Sequence, residues 1–167
     1  MTELKRSPIG ERVLRLEDGP LLAGDGTFAA DWSFPDTLHV RVFRSSVAHG
    51  EIVSIDTSAA AELPGVHAVW TSEDITDIPP IDFRATKYTG LDPYKQPVLA
   101  TGRVRYVGEP VAVLFANDPY TAEDAAGLVR AEIDELPALT CAADAPGEYA
   151  QGNDTEAALI EKGYGDE

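Results

Sequence analysis

The chain has a single cysteine, Cys141, in 167 residues. One thiol excludes an internal disulfide framework and a metal site built from cysteines. Cys141 stands among small and apolar residues with no basic neighbour to activate it. It reads as a small buried hydrophobe rather than a nucleophile. Histidine is nearly as scarce: His39, His49 and His67 are all there are. A metal site would join them through a carboxylate at helical or hairpin spacing. Instead His39 and His67 fall on strand positions alternate to the apolar ones, where they are expected to face solvent. His49 falls in a loop beside Gly50. Basic residues are few, with 13 Lys and Arg against 29 Asp and Glu, a formal net charge of -16. Nucleic acid and anionic membrane need clustered cations, so both are excluded as partners. The acidity reads as solubility. No apolar run reaches membrane-spanning length. The start, Met1 to Gly10, carries Lys5 and Arg6 but no apolar segment of a secretory signal, which points to a cytoplasmic address. Internal repeats and low-complexity tracts are absent as well.

What is present suits one domain of ordinary size, with 44% hydrophobic and 25% charged residues. Its organising stretch is residues 103–116. Val104, Tyr106 and Val107 alternate with Arg103 and Arg105 as a first strand. Gly108-Glu109-Pro110 breaks it, because proline cannot donate to a central ladder and glycine allows a tight reversal. Val111 to Ala116 is a continuous apolar run, fit for a strand buried on both faces. Asp118 then caps a helix with Pro119 at its first position. Ala122, Ala125, Ala126 and Val129 form its apolar stripe.

Upstream, residues 1–12 read as a flexible N-terminus. Residues 13–31 hold three glycines and a proline, which forbid a long helix; they form an extended, turn-rich arm whose Leu16, Leu21, Leu22 and Phe28 dock on something. Residues 38–44 alternate with period two and predict a strand. A loop over 45–50 leads to a second strand, 51–55. Asp56 caps a short helix over 57–63, stopped by Pro64-Gly65. A third strand covers 66–71, and 72–75 is a capped turn. Residues 76–96 are irregular, the longest such segment, and a loop of that length is usually functional. Val98 to Ala100 reads as a short strand. Downstream of the helix, Ala131 to Asp134 is another strand. Residues 146–167 read as a linker, with two helical turns possible over 155–162.

Chemistry is sparse. Gly24-Asp25-Gly26 lacks the third glycine and following helix of a phosphate loop, so it is a turn. Glu123 and Asp124 are adjacent on a helix and do not converge on one substrate; they are helix-end charges. Trp32, Phe34, Phe83, Tyr88 and Tyr94 lie in loop or extended segments, where partner docking competes with core packing. The residues themselves therefore give an α+β domain with no catalytic, cofactor-binding or metal-binding residue of its own.

Several stretches, taken together and in order, resemble the N-terminal domain of the molybdenum-binding large subunit of the xanthine dehydrogenase and aldehyde oxidase family, and especially its carbon monoxide dehydrogenase-type branch. They are Arg15-Leu16-Glu17-Asp18 with residues 22–28, then Arg44-Ser45-Ser46-Val47-Ala48-His49-Gly50-Glu51-Ile52 with Ile55-Asp56. Residues 64–69, Asp74-Ile75, Val107-Gly108-Glu109-Pro110-Val111-Ala112, residues 122–126 and Glu135-Leu136-Pro137 follow. The resemblance implies an α/β hammerhead domain over 13–145, an α+β fold with a mixed sheet and two main helices, at about 57–63 and 119–130. It also implies oxidative hydroxylation of a small substrate with oxygen from water, at molybdenum held by molybdopterin, commonly as the cytosine dinucleotide. Electrons would leave through iron–sulfur clusters and FAD on partner subunits. The family's cofactor-binding segments and catalytic glutamate lie downstream of the hammerhead domain, and nothing in this sequence matches them. The chain is therefore expected to bind no cofactor alone and to be inactive alone. Its expected partners are molybdenum-binding domains, of the same or a separate chain, and the iron–sulfur and flavin subunits. A stand-alone scaffold or binding module with the same fold is the other reading, because a fold does not fix a function.

Overall fold

The computed structural model describes residues 9, 10, 12, 14–82 and 95–141. Most of the tail expected over 1–12, the aromatics Phe83, Tyr88 and Tyr94, and the linker over 146–167 lie outside the described residues. The chain divides into two units between Thr37 and Leu38.

In the first unit the expected arm gains one short helix, α1 (Asp18–Ala23). Pro20 is tolerated because it lies in the first turn, where an N–H has no helical partner to lose. Gly24 ends the helix at φ 80°, a left-handed conformation that glycine adopts without strain. The Asp31 carboxylate accepts the Phe28 N–H at 2.8 Å and holds a short 3-10 turn over Ala29–Asp31. Neither element buries a residue.

Among the described residues the second unit carries six strands. They are β1 (His39–Arg44), β2 (Gly50–Asp56), β3 (Val66–Trp70), β4 (Arg103–Val104), β5 (Pro110–Ala116) and β6 (Arg130–Glu135). They form two three-stranded sheets, ordered β1-β5-β3 and β4-β2-β6. The mixed sheet expected from the sequence is thereby corrected, because all four strand pairings among the described residues are antiparallel. β5 inserts between β1 and β3, which would otherwise be parallel neighbours.

The strand expected over 103–107 stops at Val104. Gly108, at φ 91°, sets a turn in which the Glu109 N–H reaches the Tyr106 carbonyl at 3.2 Å, so Tyr106 and Val107 leave the ladder. The strand expected over 98–100 is also absent. Ala100 is fully buried and donates to the Pro110 carbonyl at 2.7 Å as a single pinning bond.

β5 is the centre of its sheet because its sequence leaves it nothing to offer solvent. Val111, Ala112, Leu114 and Ala116 are fully buried. α3 (Pro119–Leu128) covers one face of this sheet. Asp118 caps it as expected: one carboxylate oxygen accepts the Tyr120 and Thr121 N–H groups at 2.9 Å, and the other accepts the Thr121 hydroxyl at 2.5 Å. The stripe of Ala122, Ala125 and Val129 is buried, and its small side chains let the helix lie close on Leu114. α2 (Ser58–Ala61) adds Ala60 to the same cluster. It is shorter than the sequence suggested. Asp56 still provides the capping oxygen, taking the Ser58 N–H at 2.9 Å and the Ser58 hydroxyl at 2.6 Å. A second cluster, Ala100, Val104 and Val111, packs against Phe43, Ile52, Ile55 and Ile133 and joins the two sheets.

Candidate functional site

Three loops that carry the unusual sequence motifs meet at one junction. The β1–β2 connection supplies Ser45 to His49, the turn before β5 supplies Arg105 to Glu109, and the segment after β6 supplies Leu136 and Pro137. Backbone bonds tie the first two: the Ser45 N–H donates to the Glu109 carbonyl at 2.9 Å, and the Gly108 N–H donates to the Ser45 carbonyl at 2.8 Å. The Arg44 guanidinium donates to the Gly108 carbonyl at 2.8 Å. Within the loop, the Ser45 hydroxyl accepts the Val47 N–H at 3.0 Å and donates to the Val47 carbonyl at 2.9 Å. That hydroxyl is engaged in its own turn and has no base beside it.

Glu109 is 1% exposed, and its carboxylate accepts the Arg105 N–H. A buried acid is expensive unless it is bonded, so this residue holds the turn rather than donating protons to solvent. Nothing in the pattern of apolar residues signalled its burial. A Gly-Glu-Pro sequence reads as a surface turn, and the carboxylate goes inward to serve an N–H that Pro110 and the bend leave without a ladder partner.

His49 was expected in a loop, and that is its place, but it is only 5% exposed. Its Nδ1 lies 2.6 Å from the Pro137 carbonyl. A carbonyl only accepts, so Nδ1 carries the hydrogen. Nε2 is buried without a hydrogen-bond partner among the described residues. The Leu136 N–H returns to the His49 carbonyl at 2.9 Å, so the histidine clamps the chain leaving β6. Gly50 follows because β6 leaves no room: a Cβ there would lie 2.6 Å from the Asp134 carbonyl oxygen and from Ile133 Cγ2.

The other candidates do not gather here. His39 is exposed at the head of β1, and His67 is exposed with Nε2 2.6 Å from Asn117 Oδ1. Both face solvent, as their alternation predicted. Cys141 is exposed, which corrects the expected buried hydrophobe. It lies beyond β6, where no sheet is left to cover it. Glu123 pairs with Arg41 at 2.6 Å, a surface ion pair between α3 and β1. Gly24 is the cap of α1, not a phosphate loop. Trp32 and Phe34 are exposed in the first unit.

Two surface clefts lie on the second unit. One of about 240 Å³ lies between β2 and residues 71–73, and one of about 540 Å³ runs along β1 beside Glu123, Ala126 and Gly127. Among the described residues no group of three or more His, Cys, Asp or Glu side chains is placed to hold a metal ion. The donor set for a molybdenum centre is not offered by these residues.

The second unit is a small α+β domain of two antiparallel three-stranded sheets, with buried polar groups that fix its loops. The chain belongs to the aldehyde oxidase and xanthine dehydrogenase family: residues 23–137 match its α/β hammerhead domain. It is 43% identical over 165 residues to the gamma subunit of the 6-hydroxypseudooxynicotine dehydrogenase complex of Paenarthrobacter nicotinovorans, an alignment covering 95% of this chain and 21% of that one. It is 35% identical over 143 residues to the carbon monoxide dehydrogenase large chain of Hydrogenophaga pseudoflava, covering 86% and 17% respectively. Among solved structures, quinoline 2-oxidoreductase from Pseudomonas putida 86 superposes with a TM-score of 0.72 at 44% identity, covering 82% of this chain and 17% of that one. The chain thus spans about a fifth of the length of the relatives it matches.

Proposed function

We propose that this chain is the non-catalytic hammerhead domain of a molybdopterin-dependent oxidoreductase that hydroxylates a small substrate with oxygen from water. The observation that carries the proposal is the match to the family's hammerhead domain over residues 23–137, within relatives about five times longer. Molybdenum on molybdopterin cytosine dinucleotide would be held by the molybdenum-binding portion of the large subunit. Iron–sulfur clusters and FAD on partner subunits would carry the electrons away. The role of this chain is to pack beside that portion and support the approach to it.

For the substrate we favour a nitrogen heteroaromatic ring. Relatives named for nicotine and quinoline chemistry stand at 43% to 45% identity, against 35% and 37% for two carbon monoxide dehydrogenase large chains. The test is elemental analysis of two preparations, the purified 167-residue chain and the enzyme assembled in its host. The expected result is no stoichiometric molybdenum in the folded chain alone and molybdenum in the assembly. Molybdenum bound one-to-one by the isolated chain would overturn the non-catalytic assignment. A host assembly without molybdenum would overturn the family activity.

A further inference from the structure

The chain holds two Asp-Gly pairs, Asp18-Gly19 and Asp25-Gly26, and no Asn-Gly. In such a pair the glycine nitrogen is a latent nucleophile toward the neighbouring carboxyl carbon, because no side chain shields it. The fold puts the two pairs in opposite settings. Asp18 opens α1, and the Leu21 N–H bonds the Glu17 carbonyl across it at 3.0 Å. Its carboxylate lies 3.9 Å from Arg15 Nε. Closing a five-membered ring between Cγ and the next nitrogen needs the aspartate ψ to swing away from the helical value of about −42°. At Asp18 that rotation breaks the first turn of α1. Asp25 lies just beyond the helix. Its N–H bonds the Pro20 carbonyl at 2.8 Å, and the Gly24 N–H bonds the Leu21 carbonyl at 3.3 Å, the two bonds of a Schellman cap. Both bonds precede the Asp25 ψ bond in the chain, so rotation about it breaks neither. Asp25 is exposed, and neither its carboxylate nor the Gly26 N–H has a hydrogen-bond partner among the described residues. Space also demands glycine at the second position: a Cβ on Gly26 would lie 2.5 Å from Leu21 Cδ2. The cap that needs Gly26 thereby keeps a reactive pair in an open setting.

We propose that Asp25-Gly26 is a site of spontaneous isoaspartate formation, and that α1 withholds Asp18-Gly19 from the same reaction. The Gly26 nitrogen attacks Asp25 Cγ, and its proton leaves with the carboxyl hydroxyl as water. A succinimide results. Water then adds to one of the two ring carbonyls. Opening at the α-carbonyl leaves the main chain running through Cβ, with the α-carboxyl free. One water leaves and one enters, no electrons are transferred, and the mass is unchanged. The product has one more backbone carbon directly after the cap of α1. Its free α-carboxyl is the acceptor for a carboxyl methyltransferase that uses S-adenosylmethionine, so the modified arm is a substrate for that class of enzyme.

The test ages the purified 167-residue chain at neutral pH, in buffer and in urea. Endoproteinase Asp-N cuts before aspartate and not before isoaspartate, so each isomerised site appears as a missed cut by mass spectrometry. In buffer, missed cuts at Asp25 are expected to accumulate at least fivefold faster than at Asp18. In urea, where α1 is gone, the two rates are expected to agree within twofold. A purified isoaspartate-specific carboxyl methyltransferase is expected to label the aged chain from S-adenosylmethionine in proportion to the missed cuts. Gly26→Ala is expected to slow the reaction at Asp25 at least threefold in buffer and to leave Asp18 unchanged. Should Gly26→Ala not fold by circular dichroism, the comparison of buffer with urea in the unmutated chain decides alone. Equal rates at the two sites in buffer, or no accumulation at Asp25, overturns the assignment. Preference for Asp25 that persists undiminished in urea also overturns it, because the selectivity would then owe nothing to α1. None of these outcomes bears on the proposed function, which is decided by molybdenum content.

Discussion

Single residues carry more of this fold than their chemistry suggests. Glu109 is the clearest, a buried carboxylate that accepts the Arg105 backbone N–H. Glu109→Ala leaves that buried donor bare and is expected to cost about 1–3 kcal/mol in denaturant unfolding. Glu109→Gln keeps an acceptor and is expected to cost less; equal losses in the two variants would show that the hydrogen bond is not what matters. Gly50 is set by space. Gly50→Ala drives a methyl into the Asp134 carbonyl and Ile133, and the strand must shift, at about 1–3 kcal/mol. A variant as stable as the parent would mean that the β2–β6 ladder yields freely. Both roles were invisible in the sequence, because they depend on contacts across the fold rather than along the chain. His49 is similar: its loop position was legible and its burial under Pro137 was not.

At the scale of elements, sequence pattern and structure agree wherever a signal is local. β1, β2, β3, β5 and α3 fall close to where alternation, apolar continuity and the Asp118-Pro119 cap place them. Disagreement comes where pairing decides. Tyr106 and Val107 alternate correctly but leave the ladder where Gly108 turns, and 98–100 is pinned by the backbone bond from Ala100 to Pro110 instead of a ladder. The order of strands depends on β5 inserting between β1 and β3, which no period of residues encodes. The helix caps make a pH-dependent prediction. The Thr121 hydroxyl and the Thr121 and Tyr120 N–H groups hold the Asp118 carboxyl below its ordinary value of 3.8, and the Ser58 hydroxyl and N–H do the same for Asp56. A depressed folded value means a contribution fully present above the unfolded value and lost as pH falls through the folded one. Stability is therefore expected to hold near neutrality and to decline below about pH 4. In thermal scans Asp118→Ala should flatten part of that acid limb and lower the melting temperature at pH 7. An unchanged acid limb in the double variant of Asp56→Ala and Asp118→Ala would assign the acid sensitivity to other carboxylates.

For the whole molecule, the order of the strands along the chain sets the order in which it is able to fold. β5 is the middle strand of the first sheet, but it is made after both of its neighbours, since β3 ends at Trp70 and β5 begins at Pro110. β2 is the middle strand of the second sheet and is made before both of its neighbours, β4 and β6. During synthesis, β1 to β3 leave the ribosome with no sheet to join, and long-range pairing of this kind is slow to form and exposed to misassociation. Translation-arrested chains whose tunnel exit lies before Pro110 should remain open to protease along β1 to β3, and resistance should begin only as Ala116 emerges. Full resistance should wait for Glu135. The nascent domain would then depend on chaperones over most of its own length, and a rare-codon pause placed between β3 and β5 would be expected to lower its yield.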